Sequence, residues 1–207
     1  LILRLNSLPF IFMPDIFLTF ELSKAVFFRS LIEVIFILFV VRVFFQEKFS
    51  FPARVPGVFW WMFFLFMGSF LVATIFSIAP EMSFWGSYYR QQGLFMYLHY
   101  WLFFGLVLVF FDKSRAGFLI RSLMLAGFFV AVIGLFQKFF PSLSGFWDID
   151  AFLGRIFSTM GHPNYLATFL ATVLPFYFAE IFRKRGRTFW GAGALVLLAA
   201  LALTLSR

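Results

Sequence analysis

Two polar clusters interrupt a sequence that is otherwise strongly apolar. In the first, Arg90 follows Tyr88 and Tyr89 and precedes Gln91 and Gln92. A guanidinium held among aromatic rings presents a planar set of donors that matches a phosphate or diphosphate group. Basic and aromatic residues also collect at membrane edges, so an interfacial anchor that binds lipid without specificity is the alternative. The residues by themselves leave both interpretations open.

The second cluster comprises Arg155 and the residues STMGHPN at 158 to 164. Ser or Thr, then Gly, then Pro before an apolar run predicts the start of a helix, because proline suits the first turn. A helix N-terminus attracts anions, so a phosphate group is a candidate ligand, and a plain cap on a membrane helix is the alternative. His162 is a candidate acid or base near neutral pH, or a hydrogen-bonded structural histidine.

A few ionisable residues lie inside the apolar runs. Glu33 is one of them, and a charge there is costly enough to suggest a function. Arg29 lies four residues earlier on the same helical face, so we expect the two to neutralise each other. Such a pair is either structural or lines a substrate path. His99 is interpreted as a structural histidine, and Glu180 as the partner of the nearby Arg183 and Lys184 in an ordinary ion pair.

Several kinds of catalytic site have no counterpart in the sequence. There is no Gly-rich phosphate loop with Lys and Ser, no His and carboxylate set with metal-ligand spacing, and no Gly-x-Ser-x-Gly element. The chain contains no cysteine, which excludes disulfides, thiolate metal sites and cysteine nucleophiles. We therefore predict no metal and no cofactor.

Composition requires a lipid environment. Of the 207 residues 63% are apolar and 13% are charged, whereas a water-soluble domain carries roughly twice that share of charge. Such a chain has too little polar surface to cover itself in water. The net charge of +8 comes from bases in short gaps between apolar runs, which is typical of loops near headgroups. A nucleic-acid partner is excluded because that function concentrates bases on one face of a polar fold.

The apolar runs are continuous and do not alternate, which favours helices over a barrel. The sequence therefore predicts an all-α, polytopic transmembrane helix bundle of about seven spans, forming one transmembrane domain over residues 1–207 with no soluble domain. Because it begins without Met and stops in an apolar run, we expect a piece cut at both ends. The spans are predicted near residues 1–14, 25–46, 57–78, 94–111, 118–140, 165–182 and 189–205.

Charge asymmetry predicts the orientation of these spans. The loops after the second, fourth and sixth spans are rich in Lys and Arg, most clearly at Arg183, Lys184, Arg185 and Arg187. Cytoplasmic loops carry such an excess, so these loops and the N-terminus are predicted to lie inside. Both polar clusters and Arg207 then lie at the outer face.

Four segments resemble elements of the O-antigen ligase and O-antigen polymerase-like membrane proteins. FWGSYYRQQGLFMYL at 84–98 resembles the W-G-S-x-x-R-x-x-G-L element of that family. RIFSTMGHPNYLATFLATVLPF at 155–176 resembles its R-x-x-[ST]-T-x-G-N-P-N-x-L-A element. FELSKAVFFR at 20–29 is similar to its first outer loop, and Ser206 with Arg207 to the start of its S-R-G element. The four occur in the family's order over nearly the whole chain.

The resemblance implies an inverting, metal-independent transfer of a glycan from a polyprenyl diphosphate carrier to an acceptor hydroxyl. It places this reaction at the outer face of the bacterial cytoplasmic membrane and assigns the diphosphate to Arg207, Arg155 and Arg90, with His162 and Asn164 as possible supporting residues. His162 departs from the family, where Asn is usual. The family's proposed base is a histidine beyond residue 207, so we expect the 207 residues alone to be inactive.

Two other classes of function stay open at this level. A membrane transporter or lipid-binding membrane protein without catalysis is expected to have paired broken helices at mid-membrane, and only Glu33 with Arg29 hints at that. A purely structural membrane subunit is favoured if the arginines of the two polar clusters are dispensable.

The predicted orientation can be tested by labelling, because the chain has no native cysteine. We expect Arg90→Cys, Arg155→Cys and Arg207→Cys to react with a membrane-impermeant maleimide in intact cells. Arg183→Cys, predicted to lie inside, is the matched control and is expected to react only after the membrane is opened. The opposite labelling pattern would contradict the orientation.

Overall fold

The structure is a computed structural model that describes residues 8–11, 20–45, 56–87, 91–110, 113–140, 152–183 and 186–205. All regular elements in these ranges are helical, which confirms the predicted all-α class. Short 3-10 turns occur at Leu8–Phe10 and Ser158–Met160. The α-helices are α1 (Glu21–Phe45), α2 (Gly57–Ile75), α3 (Pro80–Trp85), α4 (Leu94–Phe110), α5 (Lys113–Phe139), α6 (Pro163–Phe182) and α7 (Arg187–Leu203).

Three of the described helices are long and apolar enough to cross a membrane: α2, the segment Ala116–Phe139 of α5, and α6. The chain is therefore a membrane protein. The surface of α2 agrees with this, since the helix buries no residue and exposes large apolar side chains such as Trp61 and Leu65. Such a surface is costly in water and stable in lipid.

The predicted number of about seven spans is not reached, because only three clear spans occur among the described residues. Helix α1 has 25 residues but carries Lys24, Arg29, Glu33 and Arg42, and charges are costly in the hydrocarbon core. Helices α4 and α7 have 17 residues each, fewer than the roughly 20 that a crossing requires. The predicted run at 1–14 lies mostly outside the described residues.

The chain divides into two compact units. Unit 1 comprises Leu1–Lys24 and Lys113–Arg207, and unit 2 comprises Ala25–Asp112. In unit 1, α5, α6 and α7 pack on one another, and the 3-10 turn Ser158–Met160 packs on α5 and α6. The side chains at the centre of this packing are fully buried: Met124, Val130, Ala131, Ile156, Leu166, Leu170, Val173 and Ala200.

Glycines allow the helices of unit 1 to approach closely. A Cβ atom at Gly193 of α7 would lie 2.4 Å from Cε1 of Tyr177 on α6, and one at Gly127 of α5 would lie 2.8 Å from Cγ1 of Val173. Small residues serve this purpose in membrane helix packing. The Tyr177 hydroxyl also donates to the Met124 carbonyl at 2.9 Å, so one side chain links all three helices.

Aromatic contacts hold unit 2 together. Helices α2 and α4 meet through Phe70 and Trp101, whose ring centroids lie 5.6 Å apart, and Phe28 of α1 packs 5.4 Å from Tyr100 of α4. The short helix α3 was not predicted. It begins at Pro80, which suits a first turn, and ends before Gly86, whose φ of +87° is in the region that favours glycine.

The close approach at Gly193 predicts a specific loss of stability. Gly193→Ala forces the buried, hydrogen-bonded ring of Tyr177 to move, and overpacking of this kind costs about 1–3 kcal/mol. Gly191→Ala on the same helix is the matched control, because nothing lies within 4 Å of its added Cβ. Thermal unfolding in detergent is expected to rank Gly193→Ala below wild type and Gly191→Ala at or above it. Equal unfolding temperatures for the two variants would show that Tyr177 does not pack tightly against Gly193.

Candidate functional site

Arg155 joins two helix ends in unit 1. Its Nε donates to the carbonyl of Thr204, just after α7, at 2.7 Å, and its Nη2 donates to Oδ1 of Asn164, in the first turn of α6, at 2.9 Å. The side chain is half-buried, while Asn164 is exposed. The guanidinium is therefore held in a defined position beside the N-terminus of α6, where the helix dipole favours negative charge.

The segment 154–162 leading to α6 is irregular, and hydrogen bonds to α5 hold part of it in place. The fully buried Gln137 accepts hydrogen bonds from the main-chain N–H groups of Phe157 and Ser158, at 3.1 and 2.9 Å. The Ser158 hydroxyl donates to the carbonyl of Val130 at 2.7 Å. Ser158 has φ of +51°, and Gly161 has φ of +80° with Phe20 directly against its Cα. Glycine is required at 161 because a Cβ would clash there.

Two lysines donate to carbonyls of the same segment. Lys24 of α1 donates to the carbonyl of Thr159 and lies 5.9 Å from the centre of the Phe20 ring. Lys138 at the end of α5 donates to the carbonyl of Gly154 at 2.9 Å. Together with Arg155, three cations thus lie around one short stretch of main chain, which makes the neighbourhood favourable for an anion.

His162 caps α6, which begins at Pro163 as the Gly-His-Pro pattern predicts. Its Nδ1 accepts from the Asn164 N–H at 3.1 Å, so the proton of the neutral ring is on Nε2. The ring also packs on Phe152 and Tyr165, at 5.2 and 5.3 Å between centroids. These contacts agree with the interpretation of His162 as a structural residue. To act as a base through Nδ1, it would have to give up the hydrogen bond that caps α6.

Two buried polar atoms near this segment have no hydrogen-bond partner. They are Nε2 of Gln137 and Oγ1 of Thr159, on side chains that are 0% and 1% exposed. Leaving such groups unpaired costs about 1–3 kcal/mol each. The structure therefore retains two donors beside the irregular segment that its own main chain does not use.

The structure brings together only some of the residues that the sequence indicated. Arg155, His162 and Asn164 form one continuous site at the start of α6. Arg90 and Arg207 lie outside the described residues. The last described turn of α7 nevertheless ends at the Thr204 carbonyl that Arg155 contacts.

Arg29 and Glu33 interact electrostatically, as predicted, but their side chains form hydrogen bonds with other residues. Glu33 lies 3.0 Å from Nε2 of His99 on α4, and Arg29 donates to Oε1 of Gln91 at 2.6 Å. The Arg29 guanidinium lies 5.4 Å from the centre of the Phe95 ring, and its Nε is buried without a partner. These contacts with His99, Gln91 and Phe95 add to the electrostatic interaction of the two residues along α1.

Sequence reasoning missed Gln137, Lys138 and Lys24 as residues that shape the site. A signal existed for Gln137, because an amide near the end of an otherwise apolar run needs a hydrogen-bond partner within the protein. The two lysines gave no comparable signal, because a basic residue beside a membrane span is ordinarily interpreted as a contact with lipid headgroups. The predicted ion pair of Glu180 and Arg183 is confirmed, at 2.9 Å.

Comparison with known proteins identifies no relative of this chain. No protein-family model, no curated protein and no solved structure matches it. The resemblance to O-antigen ligases and polymerases therefore depends on the four quoted sequence elements alone.

Burial lowers the pKa of Lys24 from 10.5 to about 8, while Glu21 opposes the shift. The unfolded chain thus binds more protons than the folded one between these values, so stability is expected to rise with pH through that window. A pKa shift of this size corresponds to a change of about 3 kcal/mol in the free energy of unfolding across the window. Lys24→Met is expected to remove this rise, as measured by thermal unfolding in detergent across the window.

Arg187→Met serves as the control for this measurement, because Arg187 is an exposed cation at the opposite end of α7. Its pH profile is expected to match the wild type. If Lys24→Met and wild type keep the same slope, the buried ammonium does not control the pH dependence.

Proposed function

We propose that this chain is the membrane part of a glycan-transferring enzyme of the O-antigen ligase or polysaccharide polymerase type. It acts at the outer face of the bacterial cytoplasmic membrane, as a multi-pass protein. The donor is a glycan on a polyprenyl diphosphate, and the acceptor is a hydroxyl group. The observation that carries the proposal is the guanidinium of Arg155, held by two hydrogen bonds at the N-terminus of α6.

The chemistry assigns Arg155 a specific part. The acceptor oxygen attacks the anomeric carbon, the bond from that carbon to the phosphate oxygen breaks, and the diphosphate leaves with the bonding electrons. Negative charge develops on the leaving group, and a preorganised guanidinium stabilises it without reorganising. The acceptor proton passes to a base, which the family resemblance assigns to a histidine beyond residue 207. The carrier's polyprenyl chain lies among lipids.

The surroundings of Arg155 support an anionic ligand. Lys138 and Lys24 bind the carbonyls of Gly154 and Thr159, on the same short segment as Arg155. By the resemblance, Arg90 and Arg207 complete the diphosphate site, with His162 and Asn164 supporting it. Positive charges on several elements suit a diphosphate better than a neutral sugar.

Transfer assays on the full protein in vesicles test this proposal. The donor is a synthetic polyprenyl diphosphate disaccharide, and a new glycosidic bond is the readout. Arg155→Gln is expected to lower kcat by about 10²–10³-fold, the usual effect of removing one charge-stabilising donor. The kcat of Arg155→Lys is expected to lie between those of the wild type and Arg155→Gln. An ammonium group keeps the positive charge but lacks the planar set of donors of a guanidinium.

Matched variants separate catalysis from folding. Asn164→Ala removes one contact of Arg155 and keeps the guanidinium. Its fall in kcat is therefore expected to be much smaller than that of Arg155→Gln. Arg187→Gln, remote from Arg155 along the chain, is expected to retain full transfer. Wild-type transfer by a folded Arg155→Gln variant would overturn the proposal. Movement of the donor across the bilayer without bond formation would instead favour a transporter.

A further inference from the structure

Unit 2 contains a hydrogen-bond arrangement between the buried His99 and the exposed Glu33 that the proposed function does not use. His99 is 6% exposed, and its ring has a contact at each nitrogen. Nδ1 lies 2.7 Å from the carbonyl oxygen of Phe95, one turn earlier in α4, and Nε2 lies 3.0 Å from Oε1 of Glu33 on α1. The Phe95 ring packs edge-on against the imidazole, at 4.7 Å between centroids.

The two partners of His99 determine how many protons the arrangement holds. A carbonyl oxygen only accepts, so Nδ1 must carry a proton. A neutral imidazole then has a lone pair at Nε2, and an ionised Glu33 also offers only lone pairs. Two acceptors at 3.0 Å repel each other, so a further proton must lie between them, on Nε2 or on the carboxyl group.

A shared proton also balances charge. With it, the pair is either imidazolium and carboxylate or imidazole and carboxylic acid, and both forms have a net charge of zero. Without it, the pair carries one negative charge, with which Arg29 one turn earlier on α1 interacts electrostatically.

We propose that Glu33 and His99 form a proton-binding site that joins α1 to α4. Loss of the proton forces a choice. Either the contact between Nε2 and Glu33 opens, or the remaining ring proton moves to Nε2 and the contact with the Phe95 carbonyl is lost. The protonation state of this pair therefore controls a contact between two helices of unit 2.

The other ionisable groups near this site are few. Within the described part of unit 2 no ionisable side chain occurs on α2, and α3 contributes one, which is exposed. Helix α4 adds two tyrosines, of which one lies near Arg29. The complete set of ionisable groups among these residues is Arg29, Glu33, Arg42, Glu81, Tyr97, His99 and Tyr100.

Spectroscopy on the full protein in lipid nanodiscs tests the proposal. The sequence has only two histidines, so His162→Asn leaves His99 as the single ring that ¹⁵N-histidine labelling reports. At neutral pH we expect either two protonated ring nitrogens, or a protonated Nδ1 together with an infrared carboxylic acid band. In Glu33→Gln we expect a neutral ring with protonated Nδ1, no such band, and one proton fewer bound.

Glu81→Gln is the matched control, because Glu81 is an exposed carboxylate of the same unit without a histidine contact. It is expected to leave the His99 signals and the carboxylic acid band unchanged. A neutral His99 protonated on Nε2 beside an ionised Glu33 would overturn the proposal. If Glu33→Gln fails to fold, the spectra of the His162→Asn variant, in which Glu33 is intact, test the proposal without it. The result is independent of any glycan transfer.

Discussion

Main-chain polar groups in a lipid environment must find hydrogen-bond partners within the protein, and the irregular segment before α6 depends on this constraint. Gln137 accepts from two consecutive N–H groups of the segment. Lys24 and Lys138 donate to its carbonyls, and Arg155 donates to the end of α7. Side chains from α1 and α5 therefore hold the described main chain just before α6.

The same requirement explains why cations gather where an anionic ligand is proposed to bind. A lysine or arginine that holds a carbonyl keeps its positive charge, so fixing the main chain also creates a positive field. Hydrogen bonds within the protein, to Thr204 and Asn164, hold Arg155 in place. Preorganisation of this kind makes a guanidinium effective against charge that develops during a reaction. Structure and proposed chemistry therefore use the same residue.

Helices and the start of α6 could be predicted because their signals are local. Continuous apolar runs predicted six of the seven α-helices among the described residues, and the Gly-His-Pro pattern predicted a first turn at Pro163. Helix α3 is too short for periodicity to reveal. The partner of Glu33 could not be predicted, because spacing along one helix identifies Arg29 and gives no sign of His99, 66 residues later. Contacts between helices depend on packing that local patterns do not encode.

Tyr177 contacts two neighbouring helices in different ways: its hydroxyl binds the Met124 carbonyl of α5, and its ring fills the space that Gly193 leaves on α7. Sliding α7 by one residue along α6 would bring an alanine methyl group into that ring. Such a step is sterically blocked, so Tyr177 and Gly193 together fix the register of α7 along α6.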